Sequence, residues 1–141
     1  MRPVASAAAT ILLLTGCTSA TEPIYRVGKD PVIFVHHFEG GMDMKITGTL
    51  TYSQTGKCLF LTHVQGGTEN TTPLIWPAGT RPFLRSGKRG VRVPGRGPIM
   101  EGDRVEGGGG GVGFFSLSGG AAPPGCLSAE KSAPVAITQS N

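Results

Sequence analysis

Between residues 45 and 52 apolar and polar side chains alternate: Ile46, Leu50 and Tyr52 fall on one face, and Lys45, Thr47, Thr49 and Thr51 on the other. A period of two marks a strand with one buried and one wet side. Residues 53–57, with Gly56, supply a turn. Residues 58–64, from Cys58 through Leu59, Phe60 and Leu61 to Val64, read as a return strand with a more continuous apolar run, so the two predict a hairpin. A β-branched and aromatic run over 31–38 predicts the first strand of the same sheet. Residues 72–76 predict another, stopped by the turn-forming Pro77 and Gly79. Short strands are further expected at 91–93, 103–106, 112–117 and 134–138.

Beyond residue 16 no segment sustains a 3.6-residue apolar period, and at most one helical turn is expected, over 128–132. Composition sharpens this picture. The chain has 23 Gly and 11 Pro against six Phe, two Tyr and one Trp, and Gly and Pro cost a helix interior about 1 and 3 kcal/mol each. The expected fold class is all-β: a small single-domain barrel or sandwich of short antiparallel strands.

The first 16 residues differ in kind. Arg2 is their one charged side chain, and an uncharged run from Pro3 to Thr15 follows, richest in Leu, Ile and Ala near its end. This is the layout of a secretory signal, and it is too short for the roughly 20 residues that a membrane-spanning helix needs. It ends in Leu14-Thr15-Gly16-Cys17, which resembles the lipobox of bacterial lipoproteins. The resemblance implies cleavage before Cys17 and a diacylglycerol on its thiol, making a stable anchor that leaves the protein lipid-attached on the extracytoplasmic side of the cell membrane. The expected organisation is a cleaved signal over 1–16, a lipidated Cys17 and flexible tether over 17–29, an all-β domain over 30–138 and a frayed end over 139–141. With its punctuated strands and late cysteine, the chain is similar in layout to the small lipoproteins of uncharacterised function common in actinobacteria, which carry no catalytic residue over to it.

Removing 16 of 141 residues leaves 125, enough for one domain. Two cysteines remain, Cys58 and Cys126, and in an oxidising compartment they are expected to pair. The net charge of +4 includes Arg2. The mature chain therefore carries a mild positive excess, pointing outside a cell to anionic polymers or lipid head groups rather than to nucleic acid.

That charge is not evenly spread. Arg81, Arg85, Lys88, Arg89, Arg92, Arg96 and Arg104 are more than half of the chain's basic residues, with only Glu101 and Asp103 among them. Interleaved Gly and Pro make the segment a loop or irregular edge strand that holds guanidinium groups at the surface, where they suit phosphate or carboxylate. A non-catalytic surface for an anionic envelope polymer, head groups or an acidic envelope protein is expected there, with no cofactor.

The alternative is a metal site or small enzyme built on His36 or His37 with His63, which requires the first and third strands to be neighbours, because His36 and His37 point to opposite faces. Gly107–Gly111 matches a phosphate-loop pattern only because any polyglycine does, and a flexible hairpin loop is expected instead. Gly102-Asp103-Arg104-Val105 reads as a hairpin turn, with Glu101 and Asp103 at its charged end. Ser116 and Ser118 lack a nucleophile context, and Trp76 is a core residue or, less simply, a sugar-stacking one.

Overall fold

The structure, a computed structural model, describes residues 23–39, 42–113, 115–127 and 133–140. The expected signal segment, Cys17 and the helical turn expected over 128–132 lie outside them. The elements are β1 (Ile24–Val27), β2 (Ile33–His36), β3 (Met44–Ser53), β4 (Cys58–Gln65), β5 (Thr68–Pro77), β6 (Arg81–Arg85), β7 (Lys88–Arg92), β8 (Pro98–Met100), β9 (Arg104–Gly111), β10 (Leu117–Ser118) and β11 (Val135–Ser140). Among the described residues every regular element is a strand, and the fold class is all-β.

The alternating segment and its return form the expected hairpin, with Leu50 opposite Leu61 and Tyr52 opposite Leu59. From β4 the chain turns straight into β5, while β9 returns to the far side of β3. The spatial order β9-β3-β4-β5 is a Greek key. Strand β11 lies between β5 and β9 and so closes the circuit into a five-stranded barrel. Strands β2, β1 and β10 extend the sheet from the second half of β5. The pairing is mixed rather than antiparallel throughout: β1–β10, β2–β5 and β5–β11 are parallel. These partners are joined by long stretches of chain, which leave room for the return that parallel pairing needs.

Period-two alternation then separates two cores. Ile46, Leu50, Leu59, Leu61, Leu74, Trp76, Val105 and Ile137 point into the barrel. There they meet Val91, Val93 and Ile99 from the separate three-stranded sheet β6-β7-β8, which stops one end of the barrel like a plug. On the other side of the wall Ile24, Val32, Phe34, Phe60, Ile75 and Ala136 form a second core around Cys58 and Cys126, whose disulfide spans 68 positions. The continuous apolar run of β4 now has its reason: Leu59 and Leu61 serve one core, Cys58 and Phe60 the other.

Five further expectations are corrected. Gly107–Gly111 is no loop; it belongs to β9, between β3 and β11. A Cβ on Gly109 would run into the carbonyl oxygen of Ala136 and the side chain of Ile46, so the bare backbone is what lets these strands approach. The turn at Gly102 (φ 91°) is closed by Asp103, whose N–H donates to the Met100 carbonyl at 2.9 Å and whose Oδ2 accepts from Met100 N–H at 2.8 Å. It is a corner between two sheets rather than a hairpin, because β8 and β9 do not pair. Strand β1 falls inside the 17–29 stretch expected to be tether, and the backbone of residues 139 and 140 pairs with β9 instead of fraying. Among the described residues of 112–117 only Leu117 is in a strand; Val112 and Phe115 pack over the second core without strand pairing.

Candidate binding surface

The basic segment folds as β6, β7 and the approach to β9. Ser86 and Gly87 both have positive φ, 52° and 76°, the backbone of a two-residue hairpin turn whose twist matches its strands. The register sets Arg81 opposite Arg92, Phe83 opposite Gly90 and Arg85 opposite Lys88. Directly opposed residues share a face, as do residues two apart. Arg81, Arg85, Lys88 and Arg92 therefore stand together on the outer face of the plug, all exposed, around Phe83. The Arg92 guanidinium lies 4.6 Å from the Phe83 ring centroid and that of Arg85 5.8 Å, both within cation–π range. The two basic pairs are four residues apart along the strand, roughly 13 Å.

The opposite face of the hairpin holds the plug to the barrel. Val91 is fully buried there, and Arg89 reaches Asp30 through both ends of its fork, with Nε donating to Oδ1 and Nη2 to Oδ2, each at 3.2 Å. Tyr52 of the barrel donates its hydroxyl to the same Asp30 Oδ1 at 2.7 Å, and the Arg89 guanidinium lies over its ring at 4.8 Å. The Arg89 backbone N–H donates to Glu101 Oε1. Hydrogen bonds from Arg89, then from Tyr52, hold the Asp30 carboxyl below its ordinary pKa. Burial, followed by the bond to Asp30, pushes the Tyr52 phenol up.

The seven basic residues that look like one cluster in sequence thus divide. Arg89 joins the four outer cations in none of their surroundings, Arg96 donates to the Glu106 carbonyl at 3.0 Å, and Arg104 pairs with the Glu106 carboxylate at 2.7 Å, which lowers that carboxyl's pKa. Arg89 and Arg96 are half-buried, and their guanidinium groups are taken up by partners within the protein. Phe83 went unnoticed in the sequence; the Arg-Pro-Phe-Leu-Arg alternation over 81–85 carries its signal, masked by Pro82.

The histidines scatter. His36 is buried, its Nδ1 accepting from Phe38 N–H at 3.1 Å and its Nε2 lying 2.7 Å from the Ile137 carbonyl, which fixes the proton on Nε2. His37 faces solvent with an edge-on contact to Tyr25. Strand β5 lies between β2 and β4, with His36 opposite Pro77 and His63 opposite Asn70. Seven positions along β5 are roughly 23 Å, too far for one ion, and no group of three or more metal-binding side chains occurs among the described residues. Trp76 is buried in the barrel and offers no ring to a sugar.

No protein-family model, curated protein or solved structure matches the chain.

Proposed function

We propose that this chain is a lipid-anchored, extracytoplasmic, non-catalytic module that contacts a phosphate-bearing component of the envelope through Arg81, Arg85, Lys88 and Arg92 around Phe83. One observation carries the reading: both basic pairs are directly opposed across the hairpin. Like charges in that position destabilise a sheet, by on the order of 0.2–1 kcal/mol per pair. A face that accepts this cost twice, with no acid on either strand to relieve it, is shaped for an anion that comes from outside. Guanidinium forks suit phosphate geometry, and Phe83 keeps two of them aligned.

The lipobox at Cys17 supports the cellular setting. A tethered domain works at high local concentration of everything on the membrane surface, so modest intrinsic affinity is sufficient.

The test uses the Cys17→Ser chain with its disulfide formed, mixed separately with anionic phospholipid vesicles, zwitterionic vesicles and soluble teichoic acid. Retention by the anionic vesicles assigns the head group, and retention by teichoic acid assigns the polymer. Either should disappear at high salt and on reversing the four cations to Glu. Absence of binding to both phosphate-bearing probes would overturn the proposal.

A further inference from the structure

The plug closes one end of the barrel only. At the other end, where β3 and β11 begin and β4 finishes, a cavity of about 310 Å³ opens to solvent. Its walls are the barrel's own inward positions: Ile46, Leu61 and Val135 are apolar, and Thr72 and His63 are polar. Thr72 is buried, and its Oγ1 lies 3.0 Å from His63 Nε2. The threonine hydroxyl can donate or accept, so it supports either imidazole tautomer or the protonated ring. The second ring nitrogen of His63 makes no protein hydrogen bond among the described residues. Lys45, which stands on the outer face of β3, and Gln65 lie at the rim, and Lys45 is the sole charged residue among the described residues that line the cavity.

A concave apolar space with a few convergent polar groups is the usual form of a small-molecule site. Divided by the roughly 30 Å³ that a water-sized group occupies in a liquid, the volume holds about ten non-hydrogen atoms. The charge at the mouth selects an anion, and the apolar walls select its other end. We propose that this mouth binds a small carboxylate amphiphile, a medium-chain monocarboxylate whose tail enters between Ile46, Leu61 and Val135 while its head meets Lys45 and His63. The site lies at the opposite end of the barrel from the basic hairpin and stands independently of the function proposed for that face.

Titration of the disulfide-bonded Cys17→Ser chain with octanoate, which has about the required size, followed by calorimetry and by the imidazole NMR signals, tests this. Saturable binding that shifts the His63 ring and leaves the His37 ring unmoved is expected. Val135→Phe fills the cavity and should abolish it. Lys45→Gln should weaken octanoate by about tenfold, the worth of one charge-assisted hydrogen bond, while leaving octanol binding unchanged; this variant decides the matter should Val135→Phe fail to fold. Reversing the charges of Arg81 and Arg92 should change nothing. No saturable His63 shift, or an equal response of Lys45→Gln to octanoate, would overturn the assignment.

Discussion

Asp30 shows how a single side chain can carry the junction between two substructures. It sits ahead of β2, yet its carboxylate collects the Tyr52 hydroxyl of the barrel and the Arg89 fork of the plug. About a third of the side chain surface of each member of the Asp30–Arg89 pair remains open to solvent, 33% and 30%, so the pair is a partly screened tie rather than a deep ion pair. Its pH dependence has a definite sign. The folded-state pKa of Asp30 is below the ordinary 3.8, so the unfolded chain takes up the proton first. The contribution is therefore complete above that ordinary value and is lost as pH falls through the lower folded-state pKa. Unfolding measured across acid pH should show Asp30→Asn less stable than the parent near neutrality, with the gap narrowing as the solution becomes more acidic than pH 3.8. A gap of constant size down to the lowest pH would show that the carboxylate charge contributes nothing.

At the scale of elements, β9 is the most informative strand. Five consecutive glycines in a central strand sacrifice side-chain packing but allow β11 and β3 to close on both sides. Gly109→Ala should cost about 1–3 kcal/mol, the range for overpacking a close-fitted interior, because the new methyl meets the backbone of Ala136, which cannot swing away. Gly111→Ala meets nothing within 4 Å and should be neutral or stabilise by about 0.4–1 kcal/mol through the unfolded state. Paired denaturant titrations check both, and equal effects would remove steric closeness as the reason for glycine. The same strand marks the limit of what sequence pattern reveals. Strand β3 was legible because its alternation is local, each side chain reporting its own face, and β4 because its apolar run follows directly on a turn. A glycine reports no face, so β9 looked like a loop; its role comes from partners 24 and more residues away. Strand β1 has only four residues and a charge at Arg26, and β6 carries Pro82, which an edge strand tolerates. The basic cluster was legible as composition, but its division was not, since Arg89 and Arg92 differ only in which face of β7 they occupy.

Over the whole molecule, the barrel and the plug divide the construction between them. The barrel supplies rigidity, with the disulfide tying the second core to β4; closing a loop of 68 positions contributes about 4 kcal/mol in the chain-entropy account, a substantial share for a domain of this size. The plug seals one end and turns four cations outward. The measurement that bears most directly on this account compares Arg92→Glu with Arg89→Glu, reading thermal stability and retention on the phosphate-bearing probe for each. Arg92→Glu should lose retention and keep its Tm, because Arg92 faces solvent opposite Arg81, whereas Arg89→Glu should lower Tm by setting a second carboxylate against Asp30. If Arg92→Glu is retained as well as the parent, or both variants lose stability alike, the division of the basic residues into a binding face and internal ties is contradicted.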